Sequence, residues 1–234
     1  VALTGGGIER VFEHGNADWT GALAALDGAL AAVPARGRRA EVVLSHHFAR
    51  LYLLAPPAVW LRPDEMRAWL DDRLAEALPD PRAWHLVWDD GPPGRTVTVA
   101  AMPRAALDEL RTLLVRHRLR ARSLRPWLAR LWQRRGRALR RYSGWHGMLE
   151  PGRLLLARIE RGRLASLCQR RLGAQPALEL AGHVARQALL TGAPAHGPIW
   201  LDLAGVRDDW QNLGGGLAPR ILADRADAAR GLLT

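Results

Sequence analysis

Apolar positions along this chain recur with two periods, and each change of period marks a new element. In "VALTGGGIERVFEHG" two short apolar runs flank Gly5–Gly7, which predicts two strands around a glycine turn. In "ADWTGALAALDGALAAV" Leu23, Leu26 and Leu30 share one helical face, and Pro34 and Gly37 end the helix. Glu41 to Leu54 reads as strand, stopped by Pro56 and Pro57. In "RPDEMRAWLDDRLAEALPDP" Pro63 suits the first helical turn, Asp64 and Glu65 its positive end, and Pro79 closes it. Met66, Trp69, Leu70, Leu74, Ala77 and Leu78 form the expected buried stripe. "AWHLVWDDGPPGRTVTVAAM" predicts a hairpin, with Asp89 and Asp90 shaping its turn. "PRAALDELRTLLVRHR" predicts a helix packed through Leu107, Leu110 and Leu114. A strand follows at "LRARSL", with Arg118, Arg120 and Arg122 on one face, and then a helix from about Pro126 to Tyr142.

Residues 41–124 thus run strand, helix, strand, strand, helix, strand, the ferredoxin-like order. Residues 145–234 predict three meandering strands, a helix at "PALELAGHVARQALL", a strand at "PIWLDLA" and a final helix from about Leu217. Three antiparallel strands followed by helix, strand and helix is the ribonuclease-H-like half that actin-type folds use twice. The expected division is 1–142, holding a small α/β subdomain at about 41–124, and 143–234.

Composition narrows the setting. The chain is 48% apolar, and no run approaches the roughly 20 residues that cross a bilayer. No basic-then-apolar leader opens the sequence. The single cysteine, Cys168, excludes an internal disulfide and fits a reducing cytoplasm. A net charge of +11 points to nucleic acid, anionic lipid or an acidic partner. All 34 basic residues are arginine, so an arginine-rich codon bias on solvated faces accounts for part of that charge.

Several stretches resemble the actin-like assembly proteins of type IV pili and type II secretion, the PilM and GspL families. "EVVLSHHFARLYLLAPP" is similar to their strand pair ending in a proline bend, and "LRPDEMRAWLDDRLAEALP" to the acidic-started helix after it. "RTVTVAAMPRAALDELRTLLVRHRLRARSLRPWLARLW" matches best in order: strand, helix, short strand, helix. "GWHGMLEPGRLLLARIERGRLASL" then opens the second half. The resemblance covers most of 41–172. It implies an actin-like fold with an inserted subdomain, in a protein at the cytoplasmic side of the inner membrane. PilM-type proteins grip the cytoplasmic tail of a single-span membrane partner, and GspL-type proteins also contact the secretion ATPase. The implied role is a non-enzymatic adaptor.

In actin-like ATPases the second phosphate loop carries an acidic residue, a glycine and a small or hydroxyl residue in a wide turn. The corresponding segment here is Glu150-Pro151-Gly152-Arg153-Leu154. Pro151 removes one backbone donor, and Arg153 and Leu154 replace the hydroxyl residues. "E-P-G-R" is good chemistry for a plain two-residue turn. No Asp-x-Gly first phosphate loop is present, and Gly205 or Gly214 is the candidate remnant of the adenosine side. A nucleotide site reduced to Glu150, Gly152, Gly205 and Gly214, with no cofactor, is therefore expected. The alternative is an ATP-binding protein whose first phosphate loop lies outside this sequence.

No catalytic or metal constellation emerges. His46 and His47, adjacent in the expected strand, point to opposite faces, and no H-x-x-x-H or C-x-x-C spacing occurs. Ser45 and Ser143 lack a G-x-S-x-G context, and Cys168 reads as a small buried side chain. On the helix after Pro126, Trp127, Leu128, Leu131, Trp132, Ala138, Leu139 and Tyr142 form a core face. Arg130, Arg134, Arg137 and Arg141 form a basic stripe, either solvated or in contact with an acidic partner or anionic membrane. Trp60 and Trp69 lie near the bend where the family's partner peptide binds. A basic nucleic-acid-binding module is the other reading. It is weakened because "RTVTVAAM" carries no aromatic for base stacking and Trp84 and Trp88 suit a core equally.

Overall fold

The computed structural model describes residues 2–5, 8–11, 18–32, 37–89, 94–206, 210–211 and 213–222. Gly6, Gly7, Pro34 and Asp90 lie outside them. By density of contacts the chain divides into two units, one of residues 1–49, 59–87 and 100–126, the other of 50–58, 88–99 and 127–234.

The first unit begins with the expected pair of strands, β1 (Ala2–Gly5) and β2 (Ile8–Val11), antiparallel with Gly5 opposite Ile8. Helix α1 (Trp19–Ala31) starts at Asp18, whose carboxylate accepts the Gly21 N–H. Strand β3 (Arg39–Leu44) alternates exposed Arg39, Glu41 and Val43 with inward Ala40, Val42 and Leu44. Strand β7 (Arg120–Pro126) runs parallel to β3. Helix α3 (Arg104–Arg116) buries Ala106, Leu107, Leu110, Leu113 and Leu114. Most of that stripe meets Leu44 and Met102, with Leu23 and Leu26 of α1 and Leu124 of β7 packed around it. Asp27 of α1 pairs with Arg116 and His117 at the end of α3, and the His117 bond does most to hold its carboxyl below the ordinary range.

Between residues 41 and 118 the sequence expectation fails at three points. The strand material expected from Glu41 to Leu54 is the strand pair that the resemblance implies, β3 and β4 (Arg50–Leu54), but His46 and His47 lie between the strands and not in one. Ser45 breaks it: its carbonyl accepts the N–H groups of Phe48 and Ala49 and its hydroxyl accepts that of His47, so His46 and His47 sit in a turn. Arg118 stands outside β7, with φ +55°, where its N–H reaches Val115 and its carbonyl accepts from Gly37. Helix α2 (Pro63–Arg73) ends before Pro79; Leu74 and Leu78 continue the buried row through single turns, and Ala77 is exposed. At its start Glu65 accepts from both the N–H and the guanidinium of Arg62. Strands β5 (Trp84–Trp88) and β6 (Val97–Pro103) form the expected hairpin, in a sheet ordered β4-β6-β5. Asp89 closes its turn by accepting the Thr98 N–H.

The five-stranded sheet of the second unit is formed by β8 (Gly144–Glu150), β9 (Arg153–Glu160), β10 (Arg163–Arg171), β11 (Gly197–Leu203) and β12 (Leu217–Ile221). Their order is β10-β9-β8-β11-β12, with an antiparallel meander and then two parallel strands. The meander and the parallel strand β11 beside it are as expected of the ribonuclease-H-like half. One face packs Trp145, Leu149, Leu154, Leu156, Ile199 and Leu201 against Leu180, Val184 and Ala188 of α5 (Pro176–Thr191). The other carries Ile159 and Trp200 against Trp132, Leu139 and Tyr142, at and beyond α4 (Trp127–Leu139). Ala138, expected in that core face, is exposed. The helix expected from Leu217 is instead β12, parallel to β11. Pro219 has no N–H to give a central strand and sits in this one at the end of the sheet order.

The two units repeat a theme. Helix α1 followed by parallel β3 and β7 matches α5 followed by parallel β11 and β12.

Burial of His46 makes folding pH-dependent. Loss of solvation, with His47 adding to it, holds its imidazole down at about 3, against an ordinary 6.5. Between those values the unfolded chain binds the extra proton, so stability falls as pH falls, by up to about 1.4 kcal/mol per unit. His46→Gln should flatten the slope of unfolding free energy between pH 6 and pH 4 relative to the parent. Urea titrations across that range measure it.

Candidate functional site

The hairpin that the resemblance makes the second phosphate loop lies between β8 and β9. Glu150 pairs with Arg153 across it, leaving Pro151-Gly152 as a two-residue turn. Gly152 has φ +71°, a conformation that side chains resist, and its carbonyl accepts the Leu172 N–H just past β10. Strand β11 approaches from the other side. The Ala204 N–H donates to the Leu149 carbonyl, and a Cβ on Gly205 would lie 3.7 Å from the Pro151 ring. Together with the start of α5 these segments border a half-open cavity of about 330 Å³, lined by Glu150, Pro151, Gly152, Leu172, Gly173, Ala174, Pro176, Gly205 and Val206.

A phosphate cradle needs several backbone N–H groups converging on an anion, with positive charge behind them. This lining supplies little of either. Pro151 and Pro176 carry no N–H, and that of Leu172 is taken by Gly152. The start of α5, where a phosphate would otherwise be favoured, holds the chain's own carboxylate. Glu179 accepts from Gly173 N–H at 2.8 Å and from Gln175 N–H at 3.4 Å. The charged side chain lining the cavity is acidic, Glu150.

Of the expected remnants, the fold thus brings Glu150, Gly152 and Gly205 together. Gly214 lies elsewhere, in the turn before β12, where its carbonyl accepts the Leu217 N–H. Leu172 to Pro176 and Glu179 were not foreseen, although a proline followed three residues later by an acid is a legible helix start.

Trp60 is 70% exposed, beside Val59 at 64%. Trp69 is half-buried on α2, with the Arg73 guanidinium 5.8 Å from its ring. Arg130 is half-buried on α4, whereas Arg134, Arg137 and Arg141 are exposed. Cys168 is half-buried in β10, and burial pushes its thiol pKa up, away from nucleophilic use.

One polar cluster was invisible in the sequence. Asp202 of β11 is buried between His146 of β8, 2.7 Å from its Nε2, and Arg135 of α4, whose Nη2 donates at 3.0 Å. His146 is fully buried and its Nδ1 has no hydrogen-bond partner. The trio ties α4 to the sheet, and a substrate has no access to the imidazole.

No protein-family model matches the chain, and no curated protein matches it by sequence. By its architecture the protein has an actin-like fold. Solved structures similar to it include a chain of the PilM-PilN type IV pilus biogenesis complex, with TM-score 0.62 and 16% identity over 93% of this chain and 83% of that one. The cytoplasmic domain of EpsL, an inner membrane component of the type II secretion system of Vibrio cholerae, gives TM-score 0.56 and 12% identity over 91% of this chain and 81% of that one. A Bacteroides thetaiotaomicron protein of actin-like ATPase fold and unknown function gives 0.55 and 10%, over 82% and 70%. The resemblance read from the sequence is thus met by similarity of fold.

Because Glu179 satisfies two N–H groups at the start of α5, Glu179→Ala should lower unfolding free energy by about 1 kcal/mol. Glu179→Gln, which keeps one acceptor oxygen, should lower it less. Chemical denaturation distinguishes the two.

Proposed function

We propose that this chain is a non-enzymatic adaptor of a type IV pilus-assembly or type II secretion platform. It works at the cytoplasmic side of the inner membrane and holds the cytoplasmic tail of a single-span membrane protein. The observation that carries the reading is the fold, shared over 93% of this chain with a chain of the PilM-PilN complex. The EpsL similarity supports the same setting. No helix among the described residues is long and apolar enough to cross a membrane.

Two local features support the adaptor role. The cavity at the β8–β9 turn is lined by an acid and two prolines, so it offers a triphosphate poor electrostatics. Val59 and Trp60 present apolar surface ahead of α2, suited to an apolar peptide segment. The assembly or secretion ATPase is a second partner to look for.

The test is capture with the tagged full-length chain from its native cell, followed by mass spectrometry. A single-span membrane protein of a pilus or secretion system should be enriched. Trp60→Ala should weaken its affinity about tenfold, as loss of an aromatic anchor does, with the thermal midpoint unchanged. Mg-ATP should leave that midpoint where it is. A clear upward shift with Mg-ATP, or enrichment of nucleic acid in place of a membrane protein, would overturn the proposal.

A further inference from the structure

We infer that the corner of the second unit formed by the end of α4 and the β9–β10 turn docks on anionic phospholipid headgroups. The inference rests on the inner-membrane setting proposed above and adds a direct contact of this chain with the lipid. The sequence shows Arg137, Arg140 and Arg141 in one run and Arg161 and Arg163 some twenty residues later. The fold joins the two groups. The Gly162 N–H donates to the Tyr142 carbonyl at 3.0 Å, and the Arg161 N–H to the Ser143 hydroxyl at 2.8 Å. The approach is so close that a Cβ on Gly162 would fall 2.5 Å from the Arg140 Cα. All five arginines are exposed. The neighbouring carboxylate, Glu160, lies 3.6 Å from a sixth arginine, Arg158.

Cations at a helix C-terminus complement the helix dipole, which accounts for the arginines of α4. It does not account for those of the turn. Arg161 has φ +49°, a left-handed conformation in which Asn or Gly is usual, so the turn carries a strained residue that puts a guanidinium at its tip. Guanidinium groups bind phosphate oxygens in pairs, and a helix end and a hairpin tip present them outward. Single-stranded nucleic acid would need an exposed aromatic among them. Tyr142 and Trp145, the Tyr and Trp side chains between Arg137 and Arg163, are both buried; Tyr142 is stacked on Trp200 and hydrogen-bonded to the carbonyls of Trp145 and Pro198.

The test is co-sedimentation of the full chain with phosphatidylcholine vesicles, alone or mixed with phosphatidylglycerol, at low and physiological salt. Binding should require phosphatidylglycerol and weaken with salt. Each arginine near such a surface contributes roughly fivefold in affinity, so Arg161→Asn with Arg163→Gln should reduce binding at least tenfold. Asparagine is chosen because it tolerates the left-handed turn. Arg39→Gln with Arg120→Gln, which removes equal charge from the β3–β7 pair of the first unit, should leave most binding intact. Equal loss in both variants, or no dependence on phosphatidylglycerol, overturns the inference. So does single-stranded RNA binding through Arg161 and Arg163 without vesicle binding. Capture of a membrane protein by an unsubstituted chain that does not bind the vesicles refutes this inference alone; the reverse refutes the proposed adaptor role alone.

Discussion

Strand β8 lies in the middle of its sheet with both faces covered, and that constraint decides much of the second unit. From Gly144 to Leu149 every residue is buried. Trp145 and Leu149 fill one face against α5. Gly147 is there because a Cβ would already touch the Leu201 side chain at 3.0 Å. His146, the polar residue of the strand's interior, must find a buried acceptor, and Asp202 supplies it. Asp202 in turn draws Arg135 inward from α4. The hydroxyl of Tyr142 reaches carbonyls on both β8 and β11, so the end of α4 is held at two strands at once. A helix, a strand pair and a polar trio thus follow from one strand having no face left for water.

Where periodicity was strong, the sequence was legible. Leu107, Leu110 and Leu114 lie on the buried side of α3, and the β8–β9–β10 meander closes with the two-residue turn that Pro151-Gly152 implies. The misreadings share a cause: local hydrogen bonds or sheet position outweighed the apolar pattern. Ser45 turned an apolar run into two strands, a competition between side chain and backbone that periodicity cannot register. At Leu217, a short apolar stretch with a proline was compatible with a helix start or an edge strand. The free parallel edge of β11 decided for the strand.

The candidate site was half legible. Glu150 and Gly152 are neighbours in sequence, and Gly205 could be matched to them because β8 and β11 are parallel partners in this type of sheet. Glu179 was harder to place, since its role depends on α5 beginning where β10 has just ended. The Asp202 trio and the Arg161 corner depend on hydrogen bonds between residues 18 to 67 positions apart, which no local pattern reports.

The repeated helix-then-parallel-pair motif closes very different loops in the two units. Between β11 and β12 only residues 204–216 intervene, whereas β3 and β7 are separated by residues 45–119. By ideal-chain scaling the longer closure costs about 1.5 kcal/mol more in chain entropy. The hairpin and helices inside the longer segment shorten it as they form. The β11–β12 pair can therefore assemble early on the β8–β9–β10 meander, and the β3–β7 pair has to wait for α2, the β5–β6 hairpin and α3. On the ribosome this order runs against synthesis, because the strands that close late are the ones made first.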